Sequence, residues 1–395
     1  VHLLPGLGVR QAPIRCCVGR DSSQSFGTSV TDWLNGESVR WRSISTPAAP
    51  SGRLLVLRDP TTCATLVLHL LSTPTAACEV LPIDATSYLS DLFAARSRAR
   101  RLIHLWEDQW RERPLIVRSR LLACLGRTRR EFGRRTSARR IDAATLDAFL
   151  LANHLWGPTK SRYRYGLYTK PTGQNRPAQS QQRRVGADGG SGGDGGGGGS
   201  LGADGGELVA VASFSARRHM PRTDGRRSRS HELIRYCSRR GESVVGGISK
   251  LVAAFAAEAE PDDIVTVVDR DWSNADGWRS LGFVTVQRMQ PVTFYVGRDG
   301  LRCHPGTGPN PHRRRLPPEL VDEFERDWRA WRQGDARNGA CHGVDHSRHG
   351  GELEAAQESE QREAALPRFL AERSYFAVHD AGAERLLLVL RAPSP

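Results

Sequence analysis

At 395 residues the chain has room for two or three domains, yet 38% hydrophobic residues and a mean hydropathy of −0.47 are low for a fully packed chain of that size, so part of it must be linker. No apolar run reaches the ~18–20 residues that span a bilayer. Eight cysteines with no C-x-x-C pair read as reduced thiols, which predicts an intracellular protein, cytoplasmic or nuclear, with no membrane partner. The net charge of +14 rests on arginine: of 57 basic residues only Lys160, Lys170 and Lys250 are lysines, leaving 57 − 3 = 54 arginines.

Residues 1–50 mix Gly, Pro, Ser and Arg without a sustained period and are read as poorly ordered. The runs RLLVL from Arg53 and TLVLHLL from Thr65 have the length of strands or of a buried helical turn. In RLIHLWEDQW, 101–110, Leu102, His104 and Trp106 alternate with Ile103, Leu105 and Glu107, the period of a strand. Pro114 and Gly126 then bracket a helix whose Val117, Leu121 and Leu125 share one face. Asp142 is an N-cap, Ile141 before it is placed to staple onto Leu146, and Leu146, Phe149 and Leu150 form an apolar stripe.

RYGLY (164–168) and ELVAVASF (207–214) read as strands. Between them, 170–206 is a Gly-rich insertion with no capacity to form a core and is expected to be disordered. If the two strands pair, it is an inflated hairpin turn, tolerable because closure cost grows only logarithmically with length. A strand in SHELIRYCS leads through SVVGGISKLVAAF, where Ile248, Leu251, Val252 and Phe255 share a helix face, to Pro261 and the buried-strand run DIVTVV. That order is βαβ-like. Farther on, Leu320, Phe324, Trp328 and Trp331 mark a helix stripe, and the chain closes on a short helix and a hairpin about Asp380–Gly382.

Charge is concentrated in one stretch. From Arg96 to Arg140 there are 15 arginines against Glu107, Asp108, Glu112 and Glu131, a net of 15 − 4 = +11. Such density is the footprint of a polyanion, read as nucleic acid contacted through Arg127, Arg129, Arg130, Arg134, Arg135, Arg139 and Arg140. A solvated face of biased composition is the other reading. Gly246 and Gly247 open a helix whose first turn carries free N–H groups and a positive dipole end, an anion site to which Lys250 adds charge. Two glycines also make an ordinary strand-to-helix turn.

The order VVGGISKLVAAF … DIVTVVDRDWSNADGWRSLGF resembles the core of the GNAT acyltransferase superfamily. The resemblance implies acetyl-CoA, its pyrophosphate held by the loop matched by Val245, Gly246, Gly247, Ile248, Ser249 and Lys250, while Asn274, Trp278, Leu281, Gly282 and Phe283 match the later segment. One departure is Ser243-Val244-Val245, where the superfamily loop carries Arg or Gln ahead of its first glycine. A longer series of blocks over roughly 88–300, from LIHLWEDQW to FYV, resembles phage and large-virus homing-endonuclease-type proteins. In that group a Vsr-like nuclease domain precedes a GNAT-like domain related to Mom-type DNA-modification proteins, and the closing FLAERSYFAVHDAG also resembles its end. This implies a DNA-associated N-acyltransferase derived from a mobile-element nuclease.

The nuclease half departs from the group. Its Mg²⁺-binding carboxylates on paired strands have no counterpart among Asp59, Glu79, Asp84 and Asp91, and Glu107 and Asp108, adjacent on an expected strand, would face opposite ways. That half is therefore expected to be nuclease-dead. An active Mg²⁺-dependent endonuclease and a non-catalytic nucleic-acid-binding protein are the alternatives.

Asp269 matches the Asp of the group's AD-R-x-W-S-N block, which implies a catalytic or orienting role; a helix cap or an ion pair with Arg270 is the plainer one. His154 in ANHLWG is a candidate proton shuttle or a structural histidine near a helix end. Ser273 and Asn274 read as caps, and Cys237 lacks a visible base. Cys341, His342, His346 and His349 invite zinc, but without a second cysteine pair no metal site is predicted. The expectation is an α+β chain: a poorly ordered 1–50; a basic, degenerate Vsr-like segment of partial restriction-endonuclease-like fold at 51–135; a GNAT-like mixed β-sheet with flanking helices at 136–300; and a C-terminal extension of helices and a hairpin at 301–395.

Overall fold

A computed structural model describes residues 22–44, 53–74, 85–96, 101–170, 206–221, 227–305, 314–337 and 350–390; the Gly-rich 171–205 and the Cys/His segment 341–349 lie outside them. The chain is α+β with mixed sheets. Helix α1, Ser22–Gly36, corrects the expectation of a poorly ordered start. Phe26, Val30 and Leu34 recur at four-residue steps and are buried, a stripe that the small polar residues between them obscure.

A four-stranded sheet follows, in the order β1 (Arg40–Ile44), β2 (Arg53–Arg58), β3 (Thr65–Leu71) and β4 (Arg101–Trp106), antiparallel except for β3 and β4. A parallel pair needs a crossover, and α2 (Ala85–Arg96) lies within it. TLVLHLL is apolar nearly throughout because β3 is central. Val67 packs with Leu89 of α2 on one face, and Leu66 and Leu68 pack with α1 and α4 (Pro114–Cys124) on the other. The expected strand through 110 is corrected: β4 stops at Trp106 and α3, Glu107–Glu112, begins. Two acids favour the positive end of a helix, which ends the alternation. Helix α4 holds Pro114 at its start, and Gly126 beyond its end has φ +77°, as the bracketing pair predicts.

β5 (Arg129–Phe132) and a 3-10 turn, Gly133–Arg135, lead into the central sheet. Its strands are β6 (Thr136–Arg140), β7 (Tyr163–Thr169), β8 (Leu208–Phe214), β9 (Arg218–Pro221), β10 (Arg227–Ser238), β12 (Asp263–Asp269), β13 (Val284–Met289) and β17 (Ala383–Val389). The order is β13-β17-β12-β10-β8-β7-β6, with β9 on the first part of β10, and every pair is antiparallel except β10 and β12. α5 (Ala143–Asn153) covers one face through Leu146, Phe149 and Leu150, with Ile141 against the same cluster. Asp142 caps it, accepting the Thr145 N–H at 2.7 Å. α6 (Gly247–Ala259) covers the other face through Leu251, Val252 and Phe255, whose ring stacks on Phe214 at 4.0 Å. Beyond β12 comes the short α7, Asp276–Arg279.

The end of the chain is arranged differently from the expected hairpin. β16 (Phe376–His379) joins a small sheet, β15-β14-β16, with β14 (Thr293–Val296) and β15 (Arg302–Cys303), whereas β17 enters the central sheet between β12 and β13. Asp380–Gly382 is a turn between sheets. The boundary at 300 is corrected accordingly, since the central sheet takes its strand from 383–389. α8 (Pro318–Arg337) and α9 (Gly350–Glu372) pack on the small sheet; Phe324 and Trp328 are buried there and Trp331 is half-exposed. Among the described residues no helix is long and apolar enough to cross a membrane.

Candidate site at the parallel strand pair

Strands β10 and β12 pair only from Ser230–Asp263 to Leu233–Thr266. Beyond a bulge after Leu233, the rest of β10 stays with β8, while β12 stays with β17 as far as Asp269. The two strands therefore part. Because they run parallel, Asp269 and the loop leaving β10 lie at the same end of the sheet, where open mixed sheets place ligands. From that loop, β11 (Glu242–Val245) runs along β5 and delivers α6.

The two glycines do different work. Gly246 has φ +73°, and a Cβ there would meet nothing within 4 Å. It and Ser249 are exposed, so the first turn of α6 faces solvent. Gly247 is buried, and a Cβ on it would lie 3.0 Å from the Val244 side chain and 3.2 Å from Leu167. Lys250 does not extend toward the loop: its ammonium donates to Gly133 O at 2.9 Å and also to Thr136 O. That pins the 3-10 turn against the loop, where a Cβ on Gly133 would lie 3.1 Å from Val245 O. Val245 is exposed, and Ile248 packs at the core's margin.

The seven arginines do not form one surface. Arg127 pairs with the fully buried Asp59 and donates to Glu37 O at 2.5 Å, and Arg129 bonds Glu242 at 2.6 Å. Arg139 lies over Tyr168 on the α5 face, whereas Arg140 lies over Tyr163 and Tyr165 on the α6 face, 3.6 Å from Glu258. Arg130, Arg134 and Arg135 are exposed, with no carboxylate partner among the described residues. Arg134 and Arg135 lie over Phe132, which is in register with Val245 beside the start of α6.

At the end of β12, Asp269 Oδ2 accepts from Trp156 Nε1 at 3.2 Å and Oδ1 from the Asp271 N–H at 2.8 Å. Burial raises its carboxyl above the ordinary range, against the pull of that N–H and of the Arg120 guanidinium. No ion pair joins Asp269 to Arg270, which binds Asp91 and Ala381 O instead. His154 Nδ1 accepts the Trp156 N–H at 3.2 Å. Burial, with Arg235 and Arg120 nearby, keeps its imidazole well below the usual value, so it is neutral at pH 7. Cys237 is pushed up to about 12 by burial, so it is a thiol and no nucleophile. Neither Ser273 nor Asn274 caps α7, whose N-cap is Ala275 with no side-chain cap bond: Ser273 Oγ accepts the Ala275 N–H at 3.1 Å and an Arg101 N–H at 3.4 Å, and Asn274 Oδ1 accepts the Asp276 N–H at 3.4 Å.

Mg²⁺ chemistry finds no fitting donors here. Asp108 is bound to Arg302 at 2.9 Å, Glu107 accepts the Thr73 N–H at 3.3 Å, and Asp91 is bound to Arg270 and Arg288. Glu79 and Asp84 lie outside the described residues, among which no three His, Cys, Asp or Glu side chains gather as metal ligands. Glu107 and Asp108 open a helix rather than alternate on a strand. Four participants carry no sequence signal of their own: Arg120, stacked over Trp272 at 4.4 Å, and Trp156, Asp271 and Arg302. Trp156 lies inside ANHLWG and Asp271 inside DIVTVVDRDWSNADGWRSLGF, but neither motif marks that position out. No protein-family model and no curated protein matches the chain.

Proposed function

We propose that the chain is a DNA-associated, GNAT-like protein acting as an acyl-CoA-dependent N-acyltransferase. One observation carries this reading: the solvent-facing first turn of α6 stands at the end of the sheet where β10 and β12 part, beside cations that no carboxylate among the described residues neutralises. The N–H groups of Gly247, Ile248 and Ser249 would take the pyrophosphate, as helix N-termini do, with Arg134 and Arg135 supplying charge. The bound thioester supplies the acyl group. Asp269 is the proton acceptor, its raised pKa lying in the direction a general base needs, and Trp156 orients it. The neutral His154 fixes the turn that presents Trp156.

Coenzyme A should raise the melting temperature, because a ligand that binds only the folded state stabilises it. Ser249→Glu sets a carboxylate where the phosphate would lie, at a helix position that favours acids, so the basal melting temperature should hold while the shift vanishes. Gly247→Val is the poorer probe, since that residue faces the core. No shift at millimolar coenzyme A would end the reading. A non-catalytic nucleic-acid-binding protein is the second reading, favoured by the same exposed arginines. Changing Arg130, Arg134 and Arg135 to Gln should flatten the salt dependence of DNA binding by about 0.9 per lost phosphate contact, and an unchanged slope would remove DNA from both readings.

A further inference from the structure

The aromatic stripe of α8 is not used up by the core. Phe324 and Trp328 are buried, but Trp331 is 49% exposed, in the wall of a groove of about 610 Å³ between α8 and α9. Sites that hold ligands commonly measure about 300–1,000 Å³. The three rings are stacked in a row, with centroids 6.4 Å apart for Phe324 and Trp328 and 4.9 Å apart for Trp328 and Trp331. Phe369 of α9 extends the apolar floor, 5.2 Å from Phe324. This cluster already takes cations. The guanidinium of Arg373 lies 3.5 Å over Phe369 and that of Arg362 5.8 Å over Phe324. Tryptophan holds a cation better than phenylalanine does, yet no cation among the described residues lies over Trp328 or Trp331.

The surroundings set the sign of the occupant. Helices α8 and α9 carry twelve acids against six arginines, 6 − 12 = −6, so the rest of this +14 chain stands at 14 + 6 = +20. At the groove Glu323, Asp327 and Glu372 share two guanidinium groups. Arg373 gives Nε to Glu323 at 3.1 Å and comes no nearer than 3.6 Å to Asp327 and 3.8 Å to Glu372, while Arg368 lies 3.9 Å from Glu372. The Asp327 and Glu372 side chains are 60% and 65% exposed, so both are open to a further cation. Arg362 is held by Glu325, and Arg326 and Arg329, on the opposite side of α8, do not line the groove. A polyanion is disfavoured here, and a neutral apolar partner leaves the rim unused. Along α9 the lining runs from Gln361 to Glu372, a rise of about 16 Å, with Ala364 and Arg368 exposed between them. That is a trough for an elongated occupant. We propose that it docks an amphipathic, arginine-bearing helix of a partner protein, with an arginine stacked on Trp331 and paired with Asp327 or Glu372, and apolar side chains over Trp328 and Phe369. The site goes beyond the coenzyme A reading and does not depend on it.

Fluorescence anisotropy of the full chain with a labelled peptide, acetyl-LRALLRAL-amide, tests this against the same peptide with Gln in place of Arg. The chain's net charge repels the arginine peptide, so saturable binding has to be local. The arginine peptide should bind at least about fivefold more tightly than the glutamine peptide, the size of one cation–π contact. Trp331→Ala removes the exposed ring and should weaken the arginine peptide by about the same factor. Asp327→Asn with Glu372→Gln should weaken it and flatten its salt dependence without touching the apolar floor. Changing Arg130, Arg134 and Arg135 to Gln should leave it unchanged, which separates this groove from the α6 loop. Absence of saturable binding, equal affinity for the two peptides, or a Trp331→Ala chain that binds the arginine peptide like the parent would overturn the assignment. So would weaker binding of duplex DNA by Trp331→Ala, which would give the groove to nucleic acid. If Trp331→Ala lowers the melting temperature, the carboxylate variant decides, and parental peptide binding there overturns the assignment as well.

Discussion

In the four-stranded sheet, His69 and His104 face each other across the parallel pair with their Nδ1 atoms 2.9 Å apart, and the other His104 nitrogen meets Ser90 Oγ at 2.8 Å. At the end of β12, by contrast, Asp108, Asp269 and Asp271 are gathered with Arg120 and Arg302. Both regions bury polar groups, but by opposite means. Burial brings His69 down to about 4 and His104 well below its ordinary value, so the first region carries no charge at neutral pH. A guanidinium cannot discard its proton, so the second region must pair it. Where acids crowd one another, burial, then Asp269 and Asp380, push the Asp271 carboxyl well above the carboxylate range. The first region is kept by neutrality, the second by pairing.

The sharpest way to break this comparison is Arg302→Met, which leaves Asp108 buried without its cation. It should cost about 3–5 kcal/mol in urea unfolding, with Arg302→Met/Asp108→Leu recovering most of the loss. A cost below about 1 kcal/mol would mean the pair is not what holds the junction. The histidine pair makes a prediction in pH. Because both folded-state values lie below 6.5, the unfolded chain takes up protons first as pH falls, and stability present above 6.5 is lost on the way to about 4. For His69 alone that amounts to on the order of 3 kcal/mol. His69→Phe should flatten the curve in this window, and an unchanged curve would show that the acid sensitivity arises elsewhere.

Smaller effects sharpen the contrast among arginines. Arg127→Met should cost about 1–3 kcal/mol, because Asp59 is fully buried yet keeps N–H bonds from Thr61 and Thr62. Arg134→Gln should change stability by no more than about 0.5 kcal/mol, as expected of an exposed side chain with no carboxylate partner among the described residues. If it cost as much as Arg127→Met, exposed and paired arginines would not be distinct classes here.

What was legible in the sequence was local. Pro114 with Gly126, Asp142 as a cap, the Leu251–Phe255 face and the DIVTVV run each state their own conformation within a few residues, and each stands as read, except that Val267 of the expected buried strand faces solvent. Partners across the chain were not legible. LLLV alternates equally well in a hairpin and in a central sheet, so nothing in 383–389 says that β12 is its neighbour. The start of α3 was hidden because LIHLW continues into two acids without a Gly or Pro to mark the change. For the site, the glycine loop was visible as a motif, and its division of labour was not. Which glycine takes φ +73° and which packs against Val244 depends on β5, which meets the loop only in the fold. Arg302 and Asp108 are 194 positions apart and carry no sequence signal of their pairing.

The place of β17 also governs the order in which this molecule can be built. Every residue of β12 from Asp263 to Asp269 is paired with β17, which begins 383 − 269 = 114 residues later. At a synthesis rate of ~5–20 residues per second, roughly 6–23 s pass before that edge finds its neighbour. During that interval Ile264, Val265 and Val267 present an unpaired apolar edge, the kind that recruits foreign strands. Newly made chains are therefore vulnerable to aggregation at β12, and loss of residues 383–389 would leave the folded protein with the same exposed edge.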